Sequence, residues 1–264
     1  MIDTQTLNNW SLSGKTSYDS DTYSRFESLI SSSFQPVSSI YLQGSYRNST
    51  DIVGRGDVDI VVECYGYYQR AYNPSYHLSH LRDDLYDSID RRSNFRFELG
   101  NKAIKYNGSR NYSPVDIVPC IPYNYFGKRG ISIYDHRRNR IIHSFPKQHI
   151  ENGVEKNRRT GQLFKPLVRV FKSLRNEMIE DGVLWEGAAP SYFVECLVYN
   201  VPDGLFYPDI GKAFYGIAEW LDDSQDSMAN MKCQNGITSM FHGDTCWKMK
   251  DCREFIEAVC DYAF

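Results

Sequence analysis

The sequence has few of the features that mark exported or membrane-spanning proteins. No apolar run approaches the roughly eighteen residues that a spanning helix needs. The start, MIDTQTLNNWSLSGKT, is polar and lacks a charged segment followed by an apolar one. Seven cysteines are present, an odd number, and none of them forms a CxxC pair. We therefore expect reduced thiols and a cytoplasmic protein without a membrane segment.

The sequence also lacks an excess of positive charge. The 30 Lys and Arg residues are set against 33 Asp and Glu residues, and the formal net charge is -3 at pH 7. Proteins that mainly grip long nucleic acid usually have a strongly basic balance. The balance argues against that class, and we expect that long nucleic acid is not required for activity. Arg137, Arg138 and Arg140 could add only a short basic patch.

The remaining composition is ordinary for a globular protein. Hydrophobic residues make up 41% and charged residues 24% of the 264 residues, which is enough for one large domain or two lobes. Aromatic residues reach 14%, including 20 Tyr. Stacking on nucleobases is therefore possible, but composition alone does not indicate it.

The clearest chemistry lies in residues 41–62, YLQGSYRNSTDIVGRGDVDIVV. Residues i and i+2 of a strand point to the same face, so Asp57 and Asp59 should project together while Val58 and Ile60 face a core. Two neighbouring carboxylates repel each other unless a cation lies between them. Oxygen ligands of this kind suit Mg²⁺ or Mn²⁺. The pattern therefore predicts a metal site.

The same stretch contains a Gly-Ser pair, Gly44 and Ser45, just after the apolar run at 40–42. A glycine turn lets backbone N–H groups approach a phosphate closely. We therefore predict that this turn cradles phosphates near the metal. A polar surface hairpin without any chemistry is the alternative interpretation of the stretch.

Together these residues resemble the signature of the polymerase-β-like nucleotidyltransferase superfamily, which here reads Gly44-Ser45, Thr50 and Asp57-x-Asp59. The resemblance implies a two-lobed α+β fold. Its N-terminal mixed sheet, with helices, would carry the metal carboxylates, and a helical lobe would follow toward the C-terminus. In this superfamily a third carboxylate on a neighbouring strand completes the metal site.

Asp116 matches the position of that third carboxylate. It lies in YSPVDIVPC, which otherwise reads as an apolar strand. A charged group there is costly unless it is paired or bound to a metal. Taken alone, Asp116 could also be a residue at a strand end that bonds to the backbone.

A basic stretch follows in residues 147–175, which contain eight Lys and Arg and only two acids. The apolar residues of 164–171 repeat at helical spacing and predict a buried stripe. Lys165, Arg169 and Lys172 would then share a second, cationic face. We predict that this face meets a nucleoside triphosphate, with a solvated surface as the alternative.

A further helix is predicted to begin at residues 190–195, PSYFVE. This stretch resembles the PSY-x-x-E-x-L helix start of oligoadenylate synthetases and related cyclic nucleotide synthases. In that group a helical Lys contacts the donor triphosphate, and a Ser-Tyr pair supplies a hydroxyl to phosphate and a ring to the base. The resemblance assigns these roles to Lys172, Ser191 and Tyr192, and the alternative is a capping Ser beside a core Tyr.

Within the superfamily, the chain is most similar to the bacterial cGAS/DncV-like nucleotidyltransferases. The similarity rests on GSYRNST, DVDIVV, VDIVP and PSYFVE, and on the helix KNRRTGQLFKPLVRVFKSLR. It implies synthesis of a cyclic di- or trinucleotide from NTPs, with release of pyrophosphate, in anti-phage signalling. It also implies a downstream effector that binds the cyclic nucleotide.

The resemblance also implies a set of site residues and a division into lobes. Asp57, Asp59 and Asp116 would be catalytic and would hold two Mg²⁺ or Mn²⁺ ions. The implied nucleotide-binding residues are Gly44, Ser45, Lys172, Ser191 and Tyr192. Residues 1–145 would form the catalytic lobe, and residues 146–264 a helical lobe that closes over the nucleotide cleft.

Other activities stay open at this point. A different member of the superfamily could make linear oligonucleotides or nucleotidylate RNA, a protein or a small molecule. A catalytically inactive nucleotide-binding scaffold, or an unrelated module that binds Ca²⁺ or Mg²⁺, would use some of the same residues. Cys233, His242, Cys246 and Cys252 leave a zinc site as an alternative, although their spacing matches no zinc pattern.

Hydrophobic periodicity predicts the main elements. A helix is expected from about Ser17 to just before Pro36, with capping Ser or Asp residues at its start, and another over 75–92. Residues 146–180 are expected to be helical, and residues 1–16 irregular. Short strands are expected at 95–98, 103–106, 115–118, 123–126, 131–134 and 140–142.

Overall fold

A computed structural model of the chain describes residues 1–54, 56–65, 74–243 and 247–264, with the side chains of 74–76 left out. The chain divides into two compact units. The sheet unit comprises Lys15–Arg47 and Arg55–Lys147. The helical unit comprises Met1–Gly14, Asn48–Gly54 and Gln148–Phe264. The division into lobes at residue 145 stays a prediction.

The α-helices of the described residues are, in chain order, α1 (Thr4–Trp10), α2 (Ser17–Ser33), α3 (Gly44–Asn48), α4 (Pro74–Asp90), α5 (Pro146–Arg159), α6 (Phe164–Glu180), α7 (Ser191–Tyr199), α8 (Ile210–Asp223) and α9 (Met249–Ala263). Two 3₁₀ helices span Asp203–Leu205 and Gln225–Asn230. The strands are β1 (Ser39–Gln43), β2 (Val58–Glu63), β3 (Phe97–Leu99), β4 (Ile104–Tyr106), β5 (Val115–Tyr125), β6 (Lys128–Asp135) and β7 (Arg140–Ser144).

These strands form one mixed sheet within the sheet unit. The order is β1-β2-β5-β4-β3, and β6 pairs with both β5 and β7. Strands β2 and β5 run parallel, whereas the other neighbouring pairs are antiparallel. The parallel register places Asp59 directly opposite Asp116. Two predicted site residues that are far apart in sequence are thereby neighbours in the sheet.

Helices α2 and α4 cover one face of this sheet. Val58 and Ile60 are fully buried on that face, together with Phe26 of α2 and Leu81 of α4. Val61, one position along, belongs to a different apolar cluster. Because side chains alternate between faces along a strand, the odd-numbered residues of β2, including Asp59, lie on the face away from α2 and α4.

The helical unit has the largest apolar core of the described residues, and α6 lies at its centre. Leu167, Phe171 and Leu174 are fully buried, and α6 contacts α1, α7, α8 and α9. The rings of Phe171 and Phe214 lie 5.2 Å apart. None of the described helices combines the length and the apolar character needed to cross a membrane.

Two segments differ from the predictions. Residues 1–16 are not irregular, because Thr4–Trp10 form α1. Asp3 caps this helix by accepting a hydrogen bond from the backbone N–H of Thr6 at 3.0 Å. The predicted helix over 146–180 is two helices, α5 and α6, because the chain turns at Gly161 and Gln162. Both of these residues have positive φ, at 61° and 70°.

The predicted strands are present, but two of them form one continuous strand. Strand β5 is a single strand where two were predicted, at 115–118 and 123–126. Residues Val115–Cys120 pair with β2, and residues Ile121–Tyr125 pair with β6. The prolines Pro119 and Pro122 lie on either side of this exchange of partners, so the strand continues past residues that cannot donate a ladder hydrogen bond.

Candidate active site

Three carboxylates meet on the sheet unit. Asp57 immediately precedes β2, Asp59 lies within it, and Asp116 is the second residue of β5. One carboxylate oxygen of each lies within 4.8 Å of the others. In the described part of the chain, no other group of three or more His, Cys, Asp or Glu side chains is placed to hold a metal ion. The structure brings these three predicted residues together, while their catalytic role stays a prediction.

The strand pairing explains why the three carboxylates converge. Asp57 and Asp59 share a face through the two-residue period of β2, and the parallel register brings Asp116 beside Asp59. Asp57 is exposed and the other two are half-buried. Three carboxylates this close repel each other, and a bound cation would remove that repulsion. The set offers only oxygen donors, which fits Mg²⁺ or Mn²⁺.

Lys105 is a neighbour of this group that the sequence analysis did not single out. It lies opposite Asp116 in the register of β4 and β5, and its Nζ is 3.3 Å from Oδ2 of Asp116. About half of the lysine side chain is exposed, so the pair adds little to stability. Its positive charge nevertheless offsets part of the repulsion among the carboxylates.

Gly44 contacts the same carboxylate group. It follows β1 as the first residue of α3 and has a φ of +69°, a conformation that favours glycine. A Cβ at this position would lie 1.8 Å from Oδ2 of Asp59. Any other residue would therefore push into the carboxylate. Ser45 comes next in α3, so the Gly-Ser motif begins directly beside a predicted metal ligand.

Lys172 lies within the helical unit and is buried, with only 2% of its surface exposed. Its Nζ donates to the backbone oxygen of Thr50 at 3.1 Å, to Oγ1 of Thr50 at 3.2 Å and to Oε2 of Glu195 at 3.1 Å. Arg169 is also buried and donates to the backbone oxygen of Ser49. Both cations are therefore enclosed by polar partners and are not part of a solvated surface, and the predicted contact of this helix face with a triphosphate stays a prediction.

Glu195 is the acid at the centre of this arrangement. Its carboxylate is almost fully buried. It accepts hydrogen bonds from Oγ1 of Thr50 at 2.8 Å and from Lys172, and it lies 2.9 Å from Nε2 of His149. Burial raises the pKa of this carboxyl, but the charges and hydrogen bonds of Lys172, His149 and Thr50 outweigh burial and hold the pKa below its ordinary value. Glu195 is therefore ionised at neutral pH.

Ser191 and Tyr192 are the first two residues of α7, which Pro190 precedes as the N-cap. Ser191 is exposed, and Nη1 and Nη2 of Arg175 each lie 3.4 Å from its Oγ. Tyr192 is 41% exposed, and its hydroxyl accepts from Nδ2 of Asn235 at 3.3 Å. Ser191 is therefore not the capping residue, and Tyr192 is not a core residue. Arg175 is a cation beside Ser191 that sequence reasoning did not assign to the site.

The possible zinc ligands are only partly described. Cys246 lies outside the described residues. Cys252 is fully buried in α9. Cys233 is buried as well, and a hydrogen bond with Cys196 lowers the pKa of its thiol to about 7.

Comparison with known proteins decides the family. Residues 151–263 match the model of the cGAS/DncV-like nucleotidyltransferase C-terminal helical domain. The chain is also 31% identical to the cyclic nucleotide synthase CdnE01 of Staphylococcus haemolyticus, in a match that covers 97% of this chain and 96% of that protein. The chain belongs to the cGAS/DncV-like nucleotidyltransferase family.

Other members of the cGAS/DncV-like family support the same assignment. The cyclic UMP-AMP synthase of Rhodothermus marinus is 30% identical, with 97% of this chain and 95% of that protein covered. The solved structure of the Elizabethkingia meningoseptica CdnE cyclic dinucleotide synthase, with GTP and Apcpp, matches with a TM-score of 0.89 at 27% identity, covering 99% of each chain. The family and the α+β fold predicted from sequence are confirmed, and these relatives are synthases of cyclic nucleotides, the predicted class of activity.

Proposed function

We propose that this protein is a metal-dependent nucleotidyltransferase that makes a cyclic di- or trinucleotide from NTPs and releases pyrophosphate. One observation carries the proposal: Asp57, Asp59 and Asp116 converge on one face of the sheet, in a chain that matches cyclic nucleotide synthases over 97% of its length. The product would act as a signal that a downstream effector binds, in defence against phage.

The three carboxylates would hold two Mg²⁺ or Mn²⁺ ions. The donor set fits such ions, because it contains only oxygen atoms that lie within 4.8 Å of one another. When bound, the metal lowers the pKa of an acceptor ribose hydroxyl and neutralises charge on the triphosphate and on the departing pyrophosphate. Lys105, which pairs with Asp116, would give up this carboxylate to the metal.

The other predicted site residues would bind the donor nucleotide. Gly44 and Ser45 would offer backbone and hydroxyl groups to the β- and γ-phosphates. Ser191 would add a second hydroxyl, with the guanidinium of Arg175 beside it, and the half-exposed ring of Tyr192 would stack on the base. The burial of Lys172 against Glu195 favours an indirect role for this lysine, through Thr50.

These roles require no side-chain nucleophile. The oxygen of the acceptor hydroxyl would attack the α-phosphorus in line, as the bond from that phosphorus to pyrophosphate breaks. The contribution of the protein is then to hold the two reactants in this geometry. A second round on the linear intermediate would close the ring.

The substrates and partners follow the same proposal. NTPs are the expected substrates. The relatives differ in the bases named for their products, which include UMP-AMP, dipurine and dipyrimidine nucleotides. We therefore assign no bases to this protein. Long nucleic acid is expected not to be required, since the charge balance favours no extended binding surface.

The test is to incubate the purified protein with each labelled NTP, singly and in pairs, with Mg²⁺ or Mn²⁺. Phosphatase treatment and chromatography follow. We expect a phosphatase-resistant product from the wild type and none from Asp57→Asn or Asp116→Asn. A phosphatase-sensitive oligomer would indicate a linear synthase, and label on protein or RNA another transferase. A folded wild-type protein that forms no product under any condition would contradict the proposal.

A further inference from the structure

The segment Asn48–Gly54 joins two predicted functional motifs, yet it belongs to the helical unit. It begins at the last residue of α3, the helix that opens with the Gly-Ser motif, and it ends shortly before Asp57. The residues on either side of the segment are part of the sheet unit. Contacts that fix Asn48–Gly54 therefore restrain the chain between the Gly-Ser motif and Asp57.

The segment is buried and bonded along much of its length. Thr50 is fully buried, and only 4% of Asp51 is exposed. The backbone N–H of Gly14 donates to the backbone oxygen of Asp51 at 3.1 Å. Oγ of Ser13 lies 3.1 Å from Oδ2 of Asp51. Arg169 donates to the backbone oxygen of Ser49.

The pair of Lys172 and Glu195 holds Thr50 from two sides. Lys172 donates to the backbone and side-chain oxygens of Thr50, and the Thr50 hydroxyl donates to Glu195 at 2.8 Å. Their side chains are 3% and 4% exposed, so both charges lose nearly all of their contact with water. An apolar pair of similar size would often be at least as stable. Stability alone therefore gives little reason for a charged pair at this point.

We propose that Glu195 is a positioning residue for nucleotidyl transfer, and that Lys172 acts with it rather than as a ligand of the triphosphate. Together they fix Thr50, and through Thr50 the segment between the Gly-Ser motif and Asp57. This inference rests on the proposed function. It implies that loss of the pair lowers turnover more than nucleotide affinity, whereas loss of a phosphate ligand would mainly weaken nucleotide binding.

The experiment compares Glu195→Gln, Lys172→Met and the double variant. Each single substitution leaves one buried charge without its partner, which is costly. We expect kcat to fall by roughly tenfold to a hundredfold, as small misplacements can cause, with little change in KM. The double variant replaces both charges with neutral side chains of similar size. It should recover stability, because no buried charge is left without a partner, but its kcat should stay low, because Thr50 loses the hydrogen bonds that Lys172 donates.

Lys156→Met is the matched control. Lys156 is a second buried lysine of the helical unit, and its Nζ pairs with Oδ1 of Asp203 at 2.6 Å. This substitution should lower the melting temperature without changing kcat per folded molecule. Hydrogen exchange of the 48–54 amides gives a readout that is independent of activity. We expect faster exchange at these amides in Glu195→Gln, and an unchanged rate in Lys156→Met.

Several results would overturn the inference. If Lys172→Met raises KM and keeps its kcat, Lys172 binds phosphate directly. If the double variant recovers the wild-type kcat, the pair does not position Thr50. If Glu195→Gln loses stability but keeps its kcat, Glu195 is only structural. An inactive wild type would count against the proposed function instead. In that case the exchange rates still decide the inference, because equal protection of residues 48–54 in Glu195→Gln and wild type would contradict it.

Discussion

A Cβ on Gly44 would lie 1.8 Å from Oδ2 of Asp59, so the Gly-Ser motif is in direct contact with a predicted metal ligand. Strand pairing produces this contact, because Gln43, the residue before Gly44, is the register partner of Asp59. The chain then turns away with a φ of +69° at Gly44. The predicted phosphate turn and the predicted metal ligands are therefore parts of one local structure.

The contact makes Gly44→Ala a sharp test of this local structure. We expect the added methyl group to displace the Asp59 carboxylate, and activity to fall by roughly a hundredfold, since misplacements of this size have such effects. Mn²⁺ affinity, measured by calorimetry, should weaken in parallel. Gly127→Ala is the control, because Gly127 has a φ of +81° in the same unit but has no atom within 4 Å of an added Cβ. If both variants lose the same fraction of activity, backbone strain alone explains the effect.

The carboxylates themselves should be needed for activity and not for folding. Asp57→Asn and Asp116→Asn each remove one of three charges that lie within 4.8 Å of one another. We expect product formation to be abolished, and the melting temperature to stay the same or rise slightly, because repulsion is relieved. Asp87→Asn, an exposed residue of α4, should behave like wild type. Turnover at the wild-type rate by Asp57→Asn would remove this residue from the mechanism.

Lys105 should tune how tightly the site binds a metal. Its ammonium lies 3.3 Å from Oδ2 of Asp116, where it competes with a cation for the same oxygen. We expect Lys105→Met to lower the Mn²⁺ concentration for half-maximal binding by roughly twofold to fivefold, the range of an exposed ion pair. Lys102→Met is the control, because Lys102 is similarly exposed but pairs with Asp135. Weaker Mn²⁺ binding in Lys105→Met would show that the lysine supports the site instead.

The parts of the site that follow from local patterns could be predicted from the sequence. Asp57 and Asp59 share a face because side chains alternate along any strand. Asp116 stood out because an acid within an apolar strand is costly without a partner. The pairing of Asp59 with Asp116, however, depends on which distant strands become neighbours, and only the resemblance to a known family suggested it. Nothing in the sequence around Lys105 indicated that it would lie beside Asp116.

The burial of two cations did not follow from the sequence. The helical spacing of Lys172 and Arg169 predicted a shared cationic face, and lysine and arginine are rarely buried without partners. Their partners come from segments far away in the sequence: Thr50 and Glu195 for Lys172, and Ser49 for Arg169. Periodicity within one helix contains no information about such partners. The glutamate of the PSYFVE stretch was visible in the sequence, but nothing local indicated that it would meet Lys172.

Duplex nucleic acid should be neither needed nor tightly bound. In the dense basic stretch of residues 147–175, most cations are already committed to acids. Arg158 pairs with Glu155, and Lys156 and Arg159 both pair with Asp203. Cations neutralised in this way offer little to a phosphate backbone, and the few remaining ones would make too few phosphate contacts for tight binding.

The exposed pair Arg137 and Arg138, at the turn between β6 and β7, is the basic patch left to test. Product yield should be the same with and without duplex DNA or RNA at about 0.15 M salt, a physiological ionic strength. Replacing both arginines with Glu should leave the yield unchanged. A large stimulation by duplex that disappears in the double variant would contradict this expectation, and it would identify the turn as a nucleic-acid sensor.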